Sequence, residues 1–426
     1  MFSIEFRSKV ADLPAKISKK LARAIKDVRL ASSSFAQLVQ RQLGTRKLRQ
    51  AIAARGPLPS GKYRAAVYFA DGPVNIYQMR QWYAPMQELN RNQPVVVLTR
   101  TPAAASMLLD EAGLDIAYFR SIAEIEEFLE QQKIAVVFYV NQNIRNFQMM
   151  RFRDPAHVFI SHGESDKDYM ASNQLKAYDR VFIAGQAARD RIAKLVLEYD
   201  AEAHLVEIGR PQVDVTYEAP NLPSDERTVV LYAPTWEGDR PSMEYSSLLS
   251  HGLTMIDRLI ETGKHRVIYR PHPRTGAFDP TFRKATHDVI VGKLNAANEK
   301  DPSAQHLVDT KTGFGWHLKH ADVCICDISA VAFDWLATGK PLFLTEPAST
   351  AAEVDLDGLP GMIDMLKAAD SSNIVNLVDS ALTERAPENY AKIARHYFGD
   401  VTPGASMEKW LHGATDLIES RTALWG

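Results

Sequence analysis

Only two cysteines occur in 426 residues, and Cys324 and Cys326 lie two apart within one apolar run. That number excludes a disulfide framework, and a zinc site would need more ligands. Strand alternation would point both thiols to one face, so they read as buried core residues of a protein in a reducing compartment. No apolar stretch approaches the roughly 20 residues that a membrane-spanning helix requires, and the best run, Ile134 to Val140, is strand-sized. There is no GxGxxG and no GxxxxGK[ST], which removes the main support for Rossmann dinucleotide and P-loop readings. Tandem repeats, low-complexity tracts, heptad arrays and metal-spaced Cys/His clusters are also missing. A formal net charge of −2 argues against a general nucleic-acid binder, and no nucleic-acid partner is expected.

The small net charge hides an asymmetry. Residues 1 to 50 carry 12 Lys and Arg against three acids, a local charge of +9 that leaves about −11 for the rest. Leu13, Ile17, Leu21, Ile25 and Val28 recur at helical spacing, with Lys16, Lys19, Lys20, Arg23, Lys26 and Arg29 between them. Such a basic amphipathic helix fits an anionic bilayer surface, where each basic residue contributes about 1 kcal/mol. It equally fits a solvated helix packed on its own domain. A cleaved signal peptide does not fit, because charges interrupt the apolar positions.

At 426 residues the chain exceeds one hydrophobic core, and two or three domains are expected. After the break at Gly56 to Gly61, short buried strands are expected at Ala65 to Phe69, Val95 to Leu98, Ile116 to Tyr118, Ala135 to Val140, Val158 to Ser161, Val181 to Ala184 and Leu205 to Ile208. Helical patterns fall between most of them, at Tyr77 to Leu89, Ala103 to Ala112, Ile122 to Gln132 and Ala187 to Tyr199. The Pro-rich loop Ala219 to Ser224 marks a boundary. A second series of strands follows at Thr228 to Ala233, Arg266 to Arg270, Val289 to Val291, His306 to Val308, Val323 to Cys326 and Leu342 to Leu344, then closing helices at Pro387 to Phe398 and Met407 to Ala423. This βα alternation predicts an α/β fold of two doubly wound, Rossmann-like domains facing a cleft, a GT-B-like architecture by analogy. The expected divisions are a basic helical segment at 1–56, an N-terminal Rossmann-like domain at 57–220, a C-terminal one at 221–386, and helices at 387–426 that can return to the N-terminal domain.

The chemistry lies where strands end, since an open parallel sheet presents every strand's carboxyl end along one edge. In the second domain Thr235-Trp236 follows one strand, Arg270 to Arg274 with His272 follows another, and Asp327-Ile328-Ser329 leads a third into a helix from Ala330 to Thr338, closed by Gly339 as C-cap. A helix start with the Ser329 hydroxyl suits an anion, and Arg270 and Arg274 can add bidentate phosphate contacts. Plain N-capping is the simpler role for Asp327 and Ser329. Asp334, one turn into the helix, can meet a ligand hydroxyl or pair with a neighbouring basic group. Trp236 can flank a base or simply pack. In the first domain His162 follows a strand, and Gly163 permits a sharp turn or close approach. Two imidazoles across a phosphate suit one base for an attacking hydroxyl and one donor to phosphoryl oxygens.

Taken together, Ser161-His162-Gly163 with Lys167, Gly209-Arg210-Pro211-Gln212-Val213-Asp214, Tyr232 to Trp236, Arg270-Pro271-His272-Pro273 and Asp327 to Asp334 resemble the CDP-glycerol glycerophosphotransferase family, the teichoic acid primases and polymerases. The motifs occur in that family's order over roughly residues 155 to 350. The resemblance implies a GT-B enzyme that moves glycerol phosphate, or a related polyol phosphate, from a CDP donor to a hydroxyl of a lipid-linked cell-wall or capsule polymer and releases CMP. It would work in the cytoplasm, peripherally on the inner face of the cell membrane. His162 would be the general base and His272 the contact to the donor pyrophosphate. Thr235, Arg270, Arg274, Asp327, Ser329 and Asp334 would line the donor site, with Gly163, Lys167 and Trp236 as further candidates.

Departures from the family pattern bear on the donor. Ser161-His162-Gly163-Glu164-Ser165 stands where WHG followed by Thr-Pro is common, Ser329-Ala330 where two serines are, and Glu237 where a basic residue follows Thr-Trp. CDP-ribitol or another activated alcohol thus remains open as donor. No metal is required by the sequence, although a bound pyrophosphate can recruit Mg2+. Two other functions stay open: a GT-B glycosyltransferase using a nucleotide sugar, and a catalytically silent peripheral membrane protein that organises polymer assembly.

Overall fold

The computed structural model describes residues 45–46, 48–164, 171–383 and 388–425. The basic residues expected to form the first helix, and Lys167, lie outside them. Two parallel sheets organise the chain. The first contains β1 (Ala65–Phe69), β2 (Val95–Thr99), β3 (Asp115–Tyr118), β4 (Val136–Tyr139), β5 (Ala156–Phe159), β6 (Arg180–Ile183) and β7 (Leu205–Glu207), in the order β3-β2-β1-β4-β5-β6-β7. The second contains β8 (Thr228–Ala233), β9 (His265–Tyr269), β10 (Leu307–Val308), β11 (Val323–Cys326) and β12 (Leu342–Leu344), in the order β10-β9-β8-β11-β12.

Near-continuous apolar strands are what a sheet covered on both faces requires. Along β1, Ala65, Val67 and Phe69 enter one core while Ala66 and Tyr68 enter another on the opposite face. Along β8 and β11, Leu231, Ala233, Cys324 and Cys326 face one core while Val230, Tyr232, Val323 and Ile325 face the other. Each sheet is therefore doubly wound, and the fold is GT-B-like. The final helix, Ala405–Ala423, packs into the first sheet's core. Trp410 packs against Trp82 with ring centroids 4.9 Å apart and planes inclined at 58°, and it donates its indole N–H to the Pro85 carbonyl at 3.0 Å. This docking needs Gly209, which has φ +70°, because a β-carbon there would lie 2.2 Å from the Ser406 hydroxyl oxygen.

Several expected elements differ. Val289 to Val291 is not a strand but part of the helix His287–Lys300, whose Ile290 and Leu294 are buried one turn apart on one face. The local β-branched preference gives way to that packing. Tyr77 to Leu89 is two helices, Ile76–Arg80 and Tyr83–Asn90. The strand expected at Val158 to Ser161 ends at Phe159, because Ser161 turns into the left-handed region with φ +55°. The helix expected at Ala330 to Thr338 ends at Leu336, with Gly339 at φ +67° beyond it.

Candidate active site

Both sheets have a topological switch point, where the strand order reverses and the loops leaving adjacent strands diverge. In the second sheet it lies between β8 and β11, so the loops carrying Thr235 and Asp327 are neighbours. Asp327 is fully buried. Its carboxylate accepts from the Thr235 N–H at 2.7 Å, the Ser247 N–H at 3.2 Å and the Thr345 hydroxyl at 2.7 Å. Burial pushes its pKa up to about 6 against the lowering effect of those bonds. The carboxylate of Asp327, expected to line the donor site, fastens the two loops together.

Trp236 and Glu237 extend this organisation to the third loop. Trp236 stacks on His272 with ring centroids 6.5 Å apart, and the Arg274 guanidinium lies 3.9 Å over the indole. Glu237 accepts from the backbone N–H groups of Gly276, Phe278 and Asp279 at 2.8, 3.0 and 3.0 Å. Burial raises its pKa, yet those N–H groups outweigh it and hold the carboxyl below its ordinary range. Glu237 is thus a loop anchor at the position where the resembled family places a cation. Arg270 is committed elsewhere: it pairs with Asp309 and donates to the Thr312 carbonyl at 3.1 Å. Of the two arginines expected at the donor, Arg274 is the one beside His272.

In the first sheet, His162 lies just beyond β5. Its Nδ1 is 3.2 Å from the Val140 carbonyl oxygen, and its ring meets Tyr77 edge-on at 5.9 Å. A carbonyl only accepts, so Nδ1 carries a proton, and in the neutral form of the ring the lone pair lies on Nε2. His272 is the opposite. Its Nδ1 accepts from the Arg274 backbone N–H at 3.1 Å, which leaves Nε2 as the protonated, donating nitrogen. In their neutral forms the two imidazoles therefore present opposite groups at Nε2, an acceptor on His162 and a donor on His272.

The two walls touch at Gly163, where a β-carbon would lie 3.4 Å from the Ala330 Cβ and 3.9 Å from an Arg210 guanidinium nitrogen. This seats the His162 loop against the residue after Ser329. The Ser329 hydroxyl oxygen is shielded from solvent and has no hydrogen-bond partner. It lines an interdomain cleft of about 730 Å³, together with Arg191, Lys194, Arg240 and Tyr245. Neither histidine is among that cleft's lining residues. Arg191 is held by Glu164 at 3.2 Å, with both side chains largely buried.

Asp334 is engaged by a basic partner. Its carboxylate takes two bonds from Arg210, at 2.7 and 3.3 Å, in a buried pair joining the two halves of the molecule. Arg210 is the residue that sequence reasoning passed over as a site partner, since the two lie 124 positions apart. Among the described residues no group of three or more His, Cys, Asp or Glu is placed to hold a metal ion, and no helix is long and apolar enough to cross a membrane.

These loops coincide with a family match. Residues 160–349 fit the family described as CDP-Glycerol:Poly(glycerophosphate) glycerophosphotransferase. That span is similar to a glycerophosphotransferase domain. The matched span, a little under half of the chain, includes His162, His272 and every loop described above. No curated protein sequence matches the chain. Among solved structures, the chain resembles the wall teichoic acid polymerase TagF, with 14% identity, a TM-score of 0.55 and coverage of 90% of this chain and 98% of that one. A TagF variant soaked with CDPG gives 15% identity, a TM-score of 0.54 and the same coverage. A UDP-N-acetylglucosamine 2-epimerase gives 15% identity and a TM-score of 0.53, covering 83% of this chain and 95% of that one. At such identities the likeness is one of fold.

Proposed function

We propose that the protein transfers glycerol phosphate from CDP-glycerol to a hydroxyl of a membrane-linked polymer acceptor and releases CMP. The observation that carries this reading is the opposed tautomers of His162 and His272, within the span matched by the glycerophosphotransferase family. In the proposed step His162 Nε2 takes the proton of the acceptor hydroxyl, and its oxygen forms a bond to the β-phosphorus. The bond from that phosphorus to the bridging oxygen breaks, and its electron pair leaves with CMP. His272 Nε2–H and the Arg274 guanidinium face the charge that develops on the phosphoryl oxygens. Trp236 keeps both groups in place, and the unpartnered Ser329 hydroxyl adds a donor on the cleft side. If Mg2+ takes part, it would be carried by the donor's pyrophosphate.

The acceptor's membrane linkage and a position on the inner face of the membrane are supported by the +9 charge of residues 1 to 50. The division into a basic segment, an acceptor-side domain, a CDP-donor domain and closing helices follows the same reading. A donor screen tests it: CMP should appear with CDP-glycerol, whereas UDP release from a UDP-sugar would replace the proposal with glycosyl transfer.

A further inference from the structure

The first sheet has its own switch point, between β1 and β4, and the mechanism above leaves it unused. The loop after β1 carries Asp71 and the loop after β4 carries Asn141 and Asn143. Asn141 Nδ2 donates to Asp71 Oδ2 and to Gln78 Oε1, both at 2.7 Å, and Asn143 Nδ2 donates to Asp71 Oδ1 at 2.6 Å. Asp71, Asn141 and Asn143 are half-buried, so the cluster remains open at one side. Asp71 has no ion-pair partner among the described residues, and the nearby Arg145 guanidinium is directed to the Ala70 carbonyl at 3.3 Å. One oriented carboxylate among neutral amides matches hydroxyl groups, which donate to carboxylate and exchange bonds with carboxamide; it does not match a phosphate.

Its position joins it to His162. Val140, whose carbonyl fixes the His162 tautomer, is followed directly by Asn141, and Tyr77, which packs on the His162 ring, is followed by Gln78. In the second sheet the equivalent switch point carries Thr235 and Asp327, likewise tied by a hydrogen bond across the two loops. Two switch points thus open on the same molecule, one beside the residues proposed for the donor and one beside the proposed base.

We infer that Asp71, with Gln78, Asn141 and Asn143, forms the acceptor subsite, which binds the polyol end of the acceptor and directs its attacking hydroxyl at His162. This rests on the reading of His162 as the base. The Asp71 carboxylate accepts from one acceptor hydroxyl, and the amides of Asn141 and Asn143 hold that carboxylate in orientation.

The experiment uses the full chain, CDP-glycerol as donor and the octyl ester of glycerol phosphate as acceptor probe. Asp71→Asn should raise the probe's KM by about tenfold to a hundredfold, the scale of one hydrogen bond to a charged group, while calorimetric affinity for CDP-glycerol stays at the wild-type value. Asn143→Ala, which removes one support on the half-exposed side, should raise the same KM by a smaller factor with an unchanged melting temperature. His162→Ala should instead lower kcat with little change in the probe's KM. An unchanged KM in Asp71→Asn, or an equal loss of donor affinity, would overturn the subsite even if His162→Ala is inactive. Full turnover by His162→Ala would overturn the base reading by itself. A wild-type enzyme that releases CMP with native membranes but never with this probe would overturn the polyol assignment.

Discussion

His162 and His272 are held by backbone groups in opposite tautomers: a carbonyl fixes the proton on Nδ1 of His162, and an N–H group fixes the lone pair on Nδ1 of His272. The imidazoles therefore differ in what they offer at Nε2, although the chain spells them the same way. His272→Ala should lower kcat/KM for CDP-glycerol by about tenfold to a hundredfold, the scale of one lost bond to a charged oxygen. Steady-state kinetics at varied donor concentration checks this, and an unchanged kcat/KM would remove His272 from the donor site.

Asp327 gives a pH signature. Its folded pKa of about 6 lies above the ordinary value of about 3.9, so the folded state binds its proton more tightly than the unfolded state does. Its stabilising contribution is complete below about pH 4 and declines as pH rises to about 6. The stability difference between wild type and Asp327→Asn should therefore shift against wild type across that window and stay level above it. Denaturant titrations at a series of pH values measure the difference; a flat one would contradict the buried, perturbed carboxyl.

Arg210 and Asp334 join the two halves through a buried pair at 2.7 Å. Removing one partner strands the other charge, and Asp334→Ala should cost about 3 to 5 kcal/mol in equilibrium unfolding. The double variant Arg210→Met with Asp334→Leu should recover much of that loss. A cost below about 1 kcal/mol for the single variant would mean that water reaches the pair.

These cases mark what the sequence discloses. The strand ends were legible because β-branched runs stop at proline or glycine, as at Pro234 and Pro271, and parallel topology aligns them. The interdomain partner of Asp334 was not legible, because nothing local distinguishes an aspartate facing a ligand from one facing an arginine 124 positions away. Arg270 likewise reads as a phosphate contact until Asp309 and Thr312 stand beside it. Val289 to Val291 misleads because β-branched residues satisfy a helix when Ile290 and Leu294 find a core. The tautomers depend on backbone atoms that no side-chain pattern encodes.

Glu237 replaces a cation with a carboxylate, and its structural role is measurable. Glu237→Ala frees the Gly276, Phe278 and Asp279 N–H groups, and hydrogen exchange at those three amides should accelerate while β8 and β9 remain protected. Unaltered exchange would show that the loop holds itself.

The most direct test of the account measures CMP release and glycerol phosphate transfer from CDP-glycerol by wild type and His162→Ala, alongside donor affinity. A general base contributes typically about 10²- to 10⁴-fold, so the variant should lose turnover on that scale and bind CDP-glycerol as wild type does. Wild-type turnover by His162→Ala, or release of UDP from a UDP-sugar in place of CMP from CDP-glycerol, would contradict it.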